Sequence, residues 1–181
     1  MPAPSELLSR LLGDLPCMLA PQLAHIVPAA VLPEPCRALL AHDAHMTATL
    51  ERFHGAPVAV EVVHRWHDAA LYRREILLSV PNGRNVQYAV VNIALALCPQ
   101  SAREAILAER EPLGRILQRL PTALRVEPVA FVRAALPARL AQRFAVTEGS
   151  PAYGRLVRIH HGPQCLIEGI ELLAPAPVRV A

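Results

Sequence analysis

The residues best placed to do chemistry are an arginine and two glutamates, each inside an apolar run. In Leu71-Tyr72-Arg73-Arg74-Glu75-Ile76-Leu77-Leu78-Ser79-Val80 the even positions carry Tyr72, Arg74, Ile76, Leu78 and Val80. Side chains alternate faces along a strand, so Arg74 sits in the middle of the apolar face. A guanidinium there keeps its proton and needs an anion. A protein carboxylate would make a structural salt bridge. A ligand carboxylate would make a binding site, because guanidinium matches carboxylate in a bidentate fork. Parity leaves both open, the structural bridge being the commoner arrangement. Arg73 and Glu75 share the other face, where they read as an ordinary surface pair. Near the C-terminus, Cys165-Leu-Ile-Glu-Gly-Ile-Glu-Leu-Leu carries Glu168 and Glu171, three apart and so on opposite faces. Both faces are otherwise apolar, so parity does not choose between them. Burial in such surroundings raises a carboxyl's pKa, which suits a general acid. The plainer reading is a strand-end glutamate that reaches solvent.

Other chemistries have less to work with. All 18 basic residues are Arg, so Schiff-base, pyridoxal-phosphate and P-loop lysine chemistry have no residue to run on. No G-x-G-x-x-G follows a strand-like run, and there is no G-x-S-x-G elbow. His42 with His45, and His64 with His67, make H-x-x-H spacings, but no third or fourth ligand recurs at a useful distance. They read as histidines at element ends, and neither a metal nor an organic cofactor is expected. Cys17, Cys36, Cys98 and Cys165 lie far apart and read as free, mostly buried thiols.

The elements that must position these groups follow from local pattern. The segment 1–44 holds a short amphipathic stretch from Ser5 and then Pro16, Pro21, Pro28, Pro33 and Pro35, which forbid a long helix. It is expected to wrap the domain as short helical turns, with a helix beginning at Pro35. The β-branched run Val58–Val63 and Leu71–Val80 read as strands. Pro81-Asn82-Gly83 supplies turn chemistry for a hairpin into Asn85–Leu95. Pro99–Ala108 and the run starting at Pro112 read as helices, Ala123–Ala134 as a strand and Pro137–Phe144 as a short helix. Tyr153–His160 and Cys165–Leu173 make a second hairpin around Gly162. Five or six hairpin-linked strands with helices inserted between them indicate an α+β fold with an antiparallel sheet.

The chain has 181 residues, 53% of them hydrophobic, enough for one self-supporting core and far from a disordered composition. No apolar run approaches the ~18 residues of a membrane span. The start, Met1-Pro-Ala-Pro-Ser-Glu, lacks the pattern of a secretion signal, so a soluble, cytoplasmic protein is expected. A net charge of +3 with scattered Arg and only seven aromatics gives no basic, aromatic-lined stripe, so no nucleic-acid partner is expected. No heptad seam is present, and a monomer is the default.

Four segments, in order, resemble the chorismate lyase family. Met46-Thr47 with Leu50-Glu51 resembles its opening motif, Arg74-Glu75-Ile76-Leu77-Leu78 its R-E-I-L-L strand, and Pro112-Leu113-Gly114-Arg115-Ile116-Leu117 its P-L-G-R-x-L helix start. Tyr153-Gly154-Arg155 through Arg158, Gly162 and Glu171-Leu172 with Pro175 resemble its closing hairpin. Together they span about residues 45–175, so 45–181 is taken as the family-like unit behind the Pro-rich 1–44. The resemblance implies a single-domain fold with a six-stranded antiparallel sheet and helical flaps closing a buried ligand cavity. It implies conversion of chorismate into 4-hydroxybenzoate and pyruvate without cofactor. Carried over, Arg74 would bind the ring carboxylate and Glu171 would be the acid/base carboxyl. The backbones at Met46, Leu113 and Gly114 would complete the pocket, and Arg155 is a lesser candidate for the second carboxylate. The hairpin between Gly162 and Glu171 is about two residues longer than the family's. The alternatives are an enzyme giving another hydroxybenzoate and a non-catalytic module that binds an aromatic carboxylate, since the family's fold also serves small-molecule-sensing domains of regulators.

Overall fold

The computed structural model describes residues 2–13, 16–68, 71–121 and 124–175. Seven strands form one antiparallel sheet, and six α-helices cover it. The strands are β1 (Ala24–Val27), β2 (Ala59–His67), β3 (Tyr72–Ser79), β4 (Asn85–Ile93), β5 (Arg125–Ala135), β6 (Pro151–His161) and β7 (Gln164–Leu173). The helices are α1 (Pro4–Gly13), α2 (Cys36–Leu40), α3 (Met46–His54), α4 (Gln100–Ala108), α5 (Leu113–Gln118) and α6 (Ala138–Arg143). The sheet order is β1-β5-β6-β7-β4-β3-β2. It is two meanders, β2-β3-β4 and β5-β6-β7, joined where β4 pairs with β7. The hairpins are where the turn residues predict them; Gly83 takes a φ of +81°, which glycine adopts without strain. Ala123, the expected first residue of the fifth strand, lies outside the described residues.

The sheet has seven strands rather than six. The addition is β1, which pairs Ala24–Val27 with Phe131–Ala134 of β5. Four residues between Pro21 and Pro28 are too few to show an alternation, and flanking prolines are tolerated because β1 is an edge strand. The Pro-rich segment therefore does more than wrap: it supplies a strand as well as α1 and α2.

Both faces of the sheet are covered. Leu7, Leu8, Leu11 and Leu12 of α1 pack with α6 residues Leu140 and Ala141 against Leu77, Tyr88, Val90, Leu156, Ile170 and Leu172. On the other face α2, α3, α4 and α5 pack over Ile76, Leu78, Ala89, Val91, Val157 and Ile167. Arg73 and Glu75 are consequently not a surface pair. They are 3% and 0% exposed, because α1 and the chain after it lie over them. Arg73 donates to the carbonyls of Arg10 and Leu11 at the end of α1. Glu75 accepts from Met18 N at 2.6 Å, Tyr88 Oη at 2.7 Å and His64 Nδ1 at 2.6 Å. No helix among the described residues is long and apolar enough to cross a membrane.

Because Glu75 is fully buried, each donor it loses leaves carboxylate charge unsolvated. Tyr88→Phe is expected to cost about 1–3 kcal/mol of unfolding free energy, read as a lower urea midpoint with an unchanged slope. An unchanged midpoint would mean that the other two donors suffice.

Candidate functional site: a cleft on the helical face of the sheet

Register places the candidate residues before any side chain is considered. Three rows run across the floor of the sheet beneath α3 and α5. One is Arg74–Val91–Gly169–Val157, the next Ile76–Ala89–Glu171–Arg155, and the third Leu78–Gln87–Leu173. Above them lies a cleft of about 550 Å³ between atom surfaces, its open mouth included. Its walls include His45, Met46 and Thr47 from the start of α3, and Pro112, Leu113, Gly114 and Leu117 from α5. Its floor includes Ile76, Gln87, Ala89, Val91, Arg155 and Glu171. Five of the six residues singled out in the sequence, Met46, Leu113, Gly114, Arg155 and Glu171, thus line one cavity. Arg74 is not a lining residue. It lies on the same face, paired to the lining residue Val91 and two positions from Ile76.

Arg74 is 0% exposed, and none of its three side-chain nitrogens has a hydrogen-bond partner among the described residues. The acid nearest in its electrostatics, Glu109, accepts instead from the Tyr72 hydroxyl and from Arg65 Nη1. Burial pushes the guanidinium down, and Tyr72 and Glu109 offset this only in part. Burial and the bond to Glu109 likewise push the Tyr72 phenol up. The structural salt bridge, the commoner expectation for Arg74, is therefore not formed among the described residues.

The two glutamates are separated by the sheet. Glu168 faces α1 and accepts from Arg10 and Arg158. Glu171 faces the cleft, but it does not stand alone: its Oε2 accepts from Arg155 Nε at 2.7 Å. The otherwise apolar surroundings expected for it are corrected here. The neighbour on β6 is Arg155, directly across the ladder. Arg155 also donates through Nη1 to the His42 carbonyl at 2.7 Å and through Nη2 to the Ala44 carbonyl at 3.0 Å. Each of its nitrogens is therefore already used inside the protein, which argues against its receiving a ligand's second carboxylate. It serves to seat the α2–α3 connection, and so His45 and Met46, on the sheet.

α3 and α5 meet closely. A Cβ on Gly114 would lie 2.6 Å from Thr47 Oγ1 and 2.9 Å from Thr47 Cβ. Glycine at 114 is demanded by the neighbouring helix, not only by a ligand. Arg115 donates to Glu51, which also accepts from Val58 N at 3.2 Å. The motif arginine of α5 and the motif glutamate of α3 thus clamp the two helices into one roof.

Two polar residues of the cleft, His45 and Gln87, escape sequence reasoning in this role, and His42 lies beside them against Arg155. Burial lowers both histidines, with Arg155 adding to the effect. His45 is legible as the residue before the Met46-Thr47 motif. No group of three or more His, Cys, Asp or Glu that could hold a metal ion occurs among the described residues.

A buried cation without a partner destabilises the ligand-free protein. Arg74→Leu is therefore expected to raise the unfolding free energy, on the order of 1–4 kcal/mol, measured by urea denaturation without ligand. A clear loss of stability would mean that the protein itself neutralises Arg74.

No protein-family profile matches the chain, and no curated protein matches it. Solved structures do. The effector domain of PhnF from Mycobacterium smegmatis is 14% identical, covers 76% of this chain and 93% of its own, and superposes with a TM-score of 0.55. The gene product SA0254 from Staphylococcus aureus subsp. aureus N315 is 7% identical, with 78% and 95% covered and a TM-score of 0.54. The longer PhnF structure gives 13% identity, 76% and 68% coverage and a TM-score of 0.53. At such identities the likeness is one of fold. The chain shares the α+β fold of these structures.

Proposed function

We propose that the cleft is a carboxylate-binding active site and that its substrate is chorismate, from which the protein eliminates pyruvate to leave 4-hydroxybenzoate. The observation that carries the first half is Arg74, a fully buried guanidinium with no hydrogen-bond partner among the described residues, beside a cleft whose lining is mostly apolar. A ligand carboxylate in a bidentate fork is the anion it lacks. The second half rests on the four ordered motifs, whose residues line the cleft or adjoin it.

The chemistry asks little of the protein beyond position and a proton carrier. The hydroxyl-bearing ring carbon loses its proton, the C–O bond to the enolpyruvyl group breaks, and the ring becomes aromatic. The departing oxygen keeps the bonding pair, takes a proton and tautomerises to pyruvate. Glu171, ion-paired with Arg155, is the group to accept the ring proton and return it to the leaving oxygen. His45 and Met46, seated by the same arginine, close over the ring.

A second reading is a module that binds an aromatic carboxylate without converting it. The Glu171–Arg155 ion pair favours it, because a purely structural pair has no need of a substrate, and the fold is shared with the effector domain of PhnF.

Incubation with chorismate in chelating buffer, with separate chromatography and pyruvate assay, separates the readings. Equimolar 4-hydroxybenzoate and pyruvate are expected. Glu171→Gln should lose turnover by about 10²-fold or more while still binding 4-hydroxybenzoate. Arg74→Leu should lose both. A different hydroxybenzoate would keep the substrate and change the outcome. No turnover with retained 4-hydroxybenzoate binding would establish the second reading.

A further inference from the structure

Arg74 is not alone in lacking a partner on this face. Gln87, 2% exposed and part of the cleft floor, has its Oε1 buried without a hydrogen bond among the described residues. Its neighbours across the ladder are Leu78 and Leu173, whose side chains have nothing to donate. An amide oxygen left unpaired in such a place costs free energy unless something fills the cleft and donates to it.

The two unpartnered groups sit at opposite ends of the floor. Gln87 and Val91, the strand partner of Arg74, are four residues apart on β4, about 13 Å at the usual strand rise. Between them lies Ala89, a single methyl on the floor, with Glu171 directly beside it. A ring whose carboxylate meets Arg74 therefore reaches Gln87 only with its far end. A donor next to the carboxylate would stay in the row of Arg74.

We propose that Gln87 is the specificity-determining residue of the cleft, its amide oxygen accepting a hydrogen bond from a ligand hydroxyl opposite the carboxylate on a six-membered ring. This rests on the reading of Arg74 as the carboxylate's partner and adds to it the residue that reads the hydroxyl at the far end of the ring. The amide selects by the mechanism that makes a buried polar group reject a ligand lacking its counterpart, because the analogue leaves it unpaired. Glu171 then faces the middle of the ring, at the positions flanking the hydroxyl-bearing carbon.

The test is calorimetric titration of the full chain and of Gln87→Met with benzoate, 2-hydroxybenzoate and 4-hydroxybenzoate. Methionine keeps the length of the side chain and removes the amide, so the variant folds with a melting temperature no lower than that of the starting protein. The starting protein should bind 4-hydroxybenzoate about tenfold or more tighter than the other two. Gln87→Met should bring 4-hydroxybenzoate down to the affinity of benzoate and leave benzoate unchanged. A preference for 4-hydroxybenzoate that survives in Gln87→Met overturns the assignment, as does an equal weakening of all three ligands. Equal affinity of the starting protein for all three removes Gln87 while the carboxylate reading stands. Binding of none of them removes both.

Discussion

Arg155 is the tie on which the cleft depends. Its guanidinium, 1% exposed, reaches from β6 to Glu171 on β7 and to the carbonyls of His42 and Ala44 in the connection between α2 and α3. Those carbonyls lie in a bend with no strand or helix to satisfy them, and a planar fork of donors is suited to gathering several such acceptors. One side chain thereby fixes the orientation of the acidic group in the floor and the height of the roof above it. The same density of bonds leaves it little for a ligand, which is why the carboxylate partner proposed above is Arg74 on β3 instead.

The two faces of the central sheet treat buried charge in opposite ways. Beneath α1, Glu75 is met by three donors, Arg73 by helix-end carbonyls and Glu168 by two arginines. These polar groups are satisfied within the fold and hold α1 to the sheet. On the cleft face Arg74 and Gln87 keep buried polar atoms without partners among the described residues. The α1 face is not wholly satisfied, since Asn92 Oδ1 is also buried there without a partner among the described residues. Its carboxylates are met, however, whereas beside the cleft a fully buried cation is left open. Unpaired groups beside a cavity are how a ligand's contribution is prepared in advance.

Much of this can be read from the residues. The hairpins are legible in alternation and in Pro81-Asn82-Gly83, and the face of Arg74 in the parity of β3. The misreadings have physical causes. Arg73 and Glu75 look like a surface pair because local alternation carries no information about α1, some sixty residues earlier, which covers them. β1 is four residues between prolines and has no period to detect. Glu168 and Glu171 are indistinguishable in the sequence because both faces of β7 are apolar, and only the docking of α1 on one side separates them. Arg155 stands on the expected strand but binds inward rather than to a ligand, since no sequence pattern reveals that the carbonyls of residues 42 and 44 lie within its reach. Gln87 gives no signal either, because a glutamine in a strand is ordinary until its oxygen is found buried and unpaired.

The cost of this arrangement falls on the ligand-free state and its benefit on the bound one. A ligand that binds only the folded protein stabilises it by RT ln(1 + [L]/Kd). For a carboxylate ligand of the kind proposed above, part of that free energy would come from relieving Arg74 rather than from new surface burial. The empty fold is therefore held without help from Arg74, by the apolar cores on both faces of the sheet, the donors around Glu75 beneath α1 and the Glu51–Arg115 clamp in the roof. Such a division lets the roof and the far face carry stability while the floor remains poorly satisfied. It also explains the placement of Gly114: the two roof helices must touch backbone to side chain at Thr47 for the clamp to form, so the rigidity of the site is built in the layer that has no unpaired charge to hold.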